Sequence, residues 1–248
     1  MSAAPRRDKA IAATDDTKEL PFEVAEQIDA LTKFLAQEID VPDPRTGKPR
    51  KKALRSVKWG VYAFFDYDDE PIYVGQTRES LGSRIGRHLT GRRSDAVAKK
   101  VLDPFEVCTV RVYPMPEFQG RNASEREPRE LLDALEFKVF QNLLKTSKFN
   151  AVLNEKVPPA PKRKVSIPQH YEGKIATPKI IEMRDHPDIR IARRAQTLAA
   201  LATIISERRV GTGIRLTLLT QAKRLQWLAE RRALGAPDAP DDDNGAAA

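Results

Sequence analysis

The stretch WGVYAFFDYDDEPIYVGQT, residues 59–77, carries Gly60-Val61-Tyr62 near its start and the mirrored Tyr73-Val74-Gly75 near its end. Both arms are rich in β-branched and aromatic residues, and the acidic cluster Asp66, Asp68, Asp69 and Glu70, closed by Pro71, separates them. That is the pattern of a β-hairpin, with strands predicted over 58–66 and 71–76. A hairpin does not by itself require a tyrosine beside a glycine on each arm, so the flanking sequence must supply the reason.

Directly downstream, GQTRESLGSRIGRHL predicts a helix from Leu81 to about His88 that sets Arg84 and His88 four apart on one face. A further helix is predicted over 94–101, where Ser94-Asp95 gives a capping signal. FEVCTVRVY alternates as a third strand between Phe105 and Tyr113, and PEFQGRNASEREPRE begins as loop. RELLDALEFKVFQNLLKTS then reads as an amphipathic helix with Leu131, Leu135, Val139 and Leu143 on one face, and Glu136 is a carboxylate flanked there by apolar residues. Three prolines after Asn154 mark a boundary.

Outside this block the pattern changes. Residues 1–19 lack apolar periodicity and are expected to be disordered. PFEVAEQIDALTKFLAQEI repeats apolar residues at Phe22, Ala25, Ile28, Leu31 and Leu35, a helix starting near Pro21, and DVPDPRTGKPRKK reads as a Pro-rich basic connector. Helix and connector together take up 20–52, the central block 53–157, and a linker 158–185. Two helices broken by Gly211-Thr212-Gly213 follow as a helical hairpin over 186–235, and an acidic tail, 236–248, is expected to be disordered. The fold class is α/β: a small, mainly antiparallel sheet of three strands flanked by helices, with an N-terminal helix and a separate C-terminal helical hairpin.

The 248 residues carry 43 Lys and Arg against 35 Asp and Glu, a net charge of +8 and a pI near 9.6, which favours an anionic partner and nucleic acid first. The positive charge is uneven: residues 1–44 hold five basic and ten acidic side chains, residues 155–235 hold 17 and seven. RTGKPRKK at 45–52 and PKRK at 161–164 are candidate phosphate contacts or merely solvated linkers. Arg193, Arg194, Arg208, Arg209, Lys223, Arg224, Arg231 and Arg232 make the C-terminal helices a candidate DNA-binding module, while Leu198, Leu201 and Trp227 are expected to pack those helices on each other. Cys108 is the only cysteine, so disulfides and cysteine-based zinc sites are excluded, and a small buried residue is expected there. No apolar run reaches the roughly 20 residues of a membrane span, and the N-terminus has no signal-like apolar core, so a soluble cytoplasmic protein without membrane contact is expected.

Two short motifs about ten residues apart, an Arg and a His on the next helix, a Glu on a later helix and an Asn after it form an order that resembles the GIY-YIG nuclease family over residues 58–154, with valine for isoleucine in both motifs. The resemblance implies a DNA endonuclease acting on DNA, duplex first, by metal-assisted phosphodiester hydrolysis. Tyr62 matches the tyrosine implicated in activating water, and Tyr73 the second tyrosine near the phosphate and water network. Arg84 matches the arginine that holds the scissile phosphate, a task suited to a planar, permanently charged fork. His88 matches a histidine that assists the tyrosine in some members. Glu136 matches the metal ligand, and an oxygen-only hydrated site suits Mg2+ or Mn2+. Gly60 and Gly75 are read as sites of close backbone approach, and Asn154, chosen over Asn150, as a structural hydrogen-bonding residue. The rival is a nucleic-acid-binding module with this fold but no cleavage.

Overall fold

The computed structural model describes residues 22–90, 102–154 and 157–235. The helix expected over 94–101, the N-terminal 1–19 and the acidic tail lie outside the described residues. Helix α1 (Phe22–Phe34) leads into two short strands, β1 (Glu38–Pro42) and β2 (Pro49–Ala53). The central hairpin is β3 (Lys58–Phe65) and β4 (Pro71–Ser80), followed by α2 (Leu81–Leu89), β5 (Thr109–Pro114) and the long α3 (Arg126–Thr146). β6 (Tyr171–Lys174), α4 (Pro178–Arg184), α5 (Pro187–Glu207) and α6 (Thr212–Ala233) complete the described chain. None of these helices is long and apolar enough to cross a membrane.

The main sheet is antiparallel throughout, in the order β4-β3-β5-β6. Alternation along β3 splits its side chains between two cores. Tyr62 and Phe64 join Leu31 of α1 and Leu35 just past its end, Leu81, Ile85 and Leu89 of α2, Leu201 of α5 and Ile214 of α6. Val61, Ala63 and Phe65 point the other way, onto Leu132, Leu135, Val139, Phe140 and Leu143 of α3. The sheet is therefore sandwiched, with α3 on one face and α1 and α2 on the other. Cys108 is buried, as a small residue at a strand end is expected to be.

Three stretches depart from the sequence expectation. The sheet has four strands, not three: β6 lies inside the expected linker 158–185 and pairs with β5 from Val112↔Tyr171 to Thr109↔Lys174. Its sequence, Tyr-Glu-Gly-Lys, offers no apolar run, and Gly173 is needed because a Cβ there would run into the Phe34 ring. The same expected linker holds α4, whose start is set by the Thr177 hydroxyl accepting from the Ile180 amide and by Pro178 at the first position. The basic connector is not a linker either: β1 and β2 pair in register from Glu38↔Ala53 to Pro42↔Pro49, and Ile39 and Val41 anchor the ribbon in the core.

The C-terminal helices are not set apart from the sheet. Asp66, just past the end of β3, uses both carboxylate oxygens: Oδ1 accepts from the Asp68 and Glu70 amides at 2.9 and 3.0 Å, which shapes the hairpin turn. Oδ2 accepts from Arg224 Nη2 at 2.7 Å and Arg194 Nη2 at 3.0 Å. Arg194 Nε donates also to Glu106 at 2.6 Å, Arg193 forks onto Asp103 at 2.8 and 2.9 Å, and Arg190 bonds Asp68 and Asp185. Burial pushes the Asp66 and Glu106 carboxyls up, but Arg224 and Arg194 outweigh it and hold both below the ordinary range. Arg193, Arg194 and Arg224 thus face inward as structural cations rather than outward toward a ligand. Trp227 packs edge-on against Phe149, 6.0 Å between ring centres, so it ties α6 to the central block.

Candidate active site

Gly75 stands opposite Tyr62 in the β3–β4 ladder. A Cβ on Gly75 would lie 2.6 Å from the Tyr62 hydroxyl and 2.8 Å from Tyr73 Cε1. Only glycine lets the two phenol rings lie over that strand, which is why each arm of the hairpin pairs a tyrosine with a glycine. Gly60 has the matching role on the other side, where a Cβ would come 2.9 Å from the Tyr113 carbonyl oxygen of β5.

Helix α2 starts directly from the end of β4, capped by the Ser80 hydroxyl, and its apolar stripe Leu81, Ile85 and Leu89 seats it on the tyrosine face. That seating turns Arg84 and His88 toward Tyr62. The Tyr62 hydroxyl lies 2.9 Å from His88 Nε2, and Arg84 Nε donates to the same oxygen at 3.3 Å. With the imidazole proton on Nδ1, His88 accepts the phenol proton while Arg84 faces the oxygen with a positive charge. Tyr73 completes the group: its ring stacks on Phe64 at 5.7 Å and lies 5.1 Å from the His88 ring. Tyr62 is fully buried and His88 4% exposed, so Arg84 is the member of this group that opens onto solvent.

It opens onto a cleft of about 740 Å³ lined by Gln76, Arg78, Arg84, Asn122, Arg129 and Asp133, among others. β4 is an edge strand, and its two halves are treated differently. Along the first half the Leu153 amide donates to the Ile72 carbonyl at 2.9 Å. Next to it the Asn154 side chain accepts from the Val74 amide at 3.0 Å and donates to the Val74 carbonyl at 2.7 Å. Asn154 therefore acts as a strand-mimicking closure of the edge. Beyond Val74 the edge is open, and the cleft begins there.

Glu136 reaches this opening from α3, on the face of the sheet opposite α2. Gln76 is the residue that receives it, one amide donating to Glu136 Oε2 at 3.0 Å and to Asp133 Oδ1 at 2.8 Å. Burial pushes the Glu136 carboxyl up to about 7; the Gln76 hydrogen bond opposes this, Asp133 adds to it and Arg84 opposes it again. Arg84 lines the same cleft as Gln76 and Asp133, the hydrogen-bond partner and the helical neighbour of Glu136. The structure so brings Tyr62, Tyr73, Arg84 and His88 into one group on the α2 face, whereas Glu136 comes from α3 on the opposite face; the five do not share one face of the sheet, and Gln76 at the edge of β4 is what connects Glu136 to the cleft that Arg84 lines.

The sequence alone does not single out Gln76, Asp133 or Arg129. A signal for Asp133 exists, three residues before Glu136 on the same helix; Gln76 is marked only by following Gly75. The donor set fits a hard, largely hydrated cation: one half-buried carboxylate with a raised pKa, a second carboxylate beside it, and oxygen atoms only. Among the described residues no group of three or more His, Cys, Asp and Glu gathers into a full protein cage, and a magnesium-type site does not need one.

Residues 58–137 match the family model of the GIY-YIG catalytic domain, a match that takes in both tyrosines, Arg84, His88 and Glu136. No curated protein and no solved structure gives a significant match to the chain.

Proposed function

We propose, with the GIY-YIG catalytic segment of residues 58–137 as premise, that this chain is a metal-dependent endonuclease that hydrolyses phosphodiester bonds of duplex DNA. The observation that carries the reading is the buried phenol oxygen of Tyr62 held between His88 Nε2 and Arg84 Nε, with Arg84 lining a cleft whose Gln76 also holds Glu136 from the other face of the sheet. A binding module would need the cations but not a buried phenol coupled to an imidazole.

In this reading the DNA backbone enters the cleft and its scissile phosphate draws the Arg84 guanidinium from the phenol toward the non-bridging oxygens, where a planar fork is well matched. Tyr62 is thereby uncovered. An unperturbed phenol, with a pKa of about 10, needs a partner to serve as a base near neutrality, and His88 supplies it by taking the hydroxyl proton. The Tyr62 oxygen then receives the proton of the attacking water as the new P–O bond forms and the bond to the leaving sugar oxygen breaks, that oxygen taking a proton from solvent. Tyr73, packed beside the Tyr62 and His88 rings, orients the water or phosphate. Glu136, with Asp133 beside it and Gln76 fixing the pair, would hold a magnesium or manganese ion that, when bound, supplies Lewis-acid stabilisation of the charge building up on the phosphate.

The test is incubation of the purified protein with supercoiled plasmid in magnesium and in chelator. Nicked and linear product in magnesium alone is expected from the wild type, and Tyr62→Phe should lower the rate by at least about a hundredfold, the usual scale of a lost acid–base group. Equal cutting by Tyr62→Phe and wild type would remove the phenol from the mechanism.

A further inference from the structure

The charge concentrated before β3 has no role in the cleft chemistry. Residues 45–58 hold Arg45, Lys48, Arg50, Lys51, Lys52, Arg55 and Lys58 with no acidic residue among them. In the structure this run is the turn and second strand of the β1–β2 ribbon and its continuation to β3, and all these cations except the half-buried Lys52 are exposed.

The ribbon sorts its cations onto two sides. Lys51 stands across from Asp40 and is neutralised by it at 3.0 Å, on the side opposite Ile39 and Val41. Arg50 and Lys52 stand across from Val41 and Ile39, the residues that anchor the ribbon, and so share the side that faces the domain. Lys52 is depressed by burial and then by the charges of Arg50 and Lys58, with no acid offsetting them. Arg50 has only a 3.6 Å contact with Asp43. Arg50 and Lys58 are exposed and Lys52 is half-buried beside them, a cationic surface that a polyanion would complement.

This cationic side runs into the wall of the cleft. The Lys58 amide donates to the Gln119 side chain at 2.8 Å, and a Cβ on Gly120 would meet Pro44 of the ribbon turn at 2.7 Å. The same loop continues as Asn122, Ala123 and Ser124 in the cleft lining, where Arg78 Nη1 donates to the Ala123 carbonyl at 3.1 Å. The loop 119–124 thus meets the ribbon turn and the start of β3 at one end and lines the cleft with Arg84 at the other.

We propose that the β1–β2 ribbon is a docking arm for the sugar–phosphate backbone of duplex DNA, with Arg50, Lys52 and Lys58 contacting phosphates that flank the one in the cleft. The proposal rests on the nuclease reading for its choice of polyanion and extends it by assigning the surface outside the catalytic segment that grips the duplex. Contacts of this kind position the substrate without reading its bases. They also release counterions, so each lost contact lowers the slope of log affinity against log salt by about 0.9.

The experiment uses the full chain in chelator, where binding is read without turnover, and a fluorescently labelled duplex of about 30 base pairs followed by anisotropy between about 50 and 200 mM salt. The variant Arg50→Gln/Lys52→Gln/Lys58→Gln should bind more weakly and with a slope shallower by about 2.7, so that across this range the wild type loses about 40-fold more affinity than the variant does. Lys51→Gln, on the other side of the ribbon and paired with Asp40, should keep the wild-type slope. An unchanged slope in the triple variant overturns the proposal. So does a triple variant that keeps its DNA slope but loses binding to phosphatidylserine vesicles, which would make the ribbon a membrane contact. A wild type that binds no duplex would overturn the nuclease reading as well, whereas a wild type that binds with a steep slope but does not nick plasmid leaves the docking arm standing.

Discussion

Glu136→Gln should stabilise the protein in alkaline chelator and cost it the response to magnesium. The wild-type carboxyl has its folded-state pKa raised from 4.5 to about 7 by burial first, with Asp133 adding. A group raised in this way contributes its full share of stability below about pH 4.5, where both folded and unfolded chains hold the proton. That share is lost as the pH rises through about 7, because the unfolded chain ionises first. The rise sets a ceiling of about 3 kcal/mol at pH 8, since one unit is worth about 1.4 kcal/mol. For a chain of this size that is a rise of about 6–12 °C in Tm for the variant. The introduced glutamine side chain keeps the shape and can still accept from Gln76, so packing is conserved. Urea denaturation of both proteins at pH 5 and pH 8 in chelator isolates the effect, because every other carboxylate is common to the pair. A variant ahead by no more than about 1 kcal/mol at pH 5 and by up to about 3 kcal/mol at pH 8, and a magnesium-dependent rise in Tm of the wild type alone, are expected. A variant that is less stable at both pH values would show that Glu136 is a satisfied structural carboxylate and that the site does not hold a cation.

Other perturbations separate the site from its frame. Gly75→Ala drives a methyl into the Tyr62 and Tyr73 rings and should destabilise by about 1–3 kcal/mol, with loss of cutting beyond what the melting curve explains. Gln76→Ala removes the one amide that holds Asp133 and Glu136 together; the magnesium needed for half-maximal cutting should rise about tenfold or more, while duplex binding in chelator stays level. Asp66→Asn leaves Arg194 and Arg224 buried without their shared carboxylate and should cost about 3–5 kcal/mol by urea denaturation. A chain ended at Pro161 meets the same problem from the other side: Asp66 and Glu106 lose their arginines, and it should fail to fold, not merely bind DNA less well.

Much of the site was legible because its residues are set by local rules. The hairpin follows from alternation and turn chemistry, α2 and α3 from apolar periodicity, and the approach of Arg84 and His88 to the phenols from four-residue helical spacing. The β1–β2 ribbon was hidden because only Ile39 and Val41 in it are large and apolar, and its prolines and lysines read as a connector. β6 was hidden by being four residues long. The inward-facing arginines were unreadable for a different reason. Arg194 and Arg224 look like surface cations until their partner Asp66 is known, and it lies 128 and 158 positions away along the chain. Gln76 is a case of the same kind, since its worth depends on α3 arriving from the opposite face of the sheet.

The most direct test of metal-dependent cleavage pairs two readouts on Glu136→Ala: plasmid cutting in magnesium and duplex affinity in chelator. Loss of the carboxylate that holds the cation should lower cutting by several orders of magnitude. Affinity should stay level or rise slightly, because the cationic surface is intact and one anion near the phosphate is gone. Wild-type cutting by Glu136→Ala would contradict the assignment of the cation site and with it the account of how this cleft cleaves DNA.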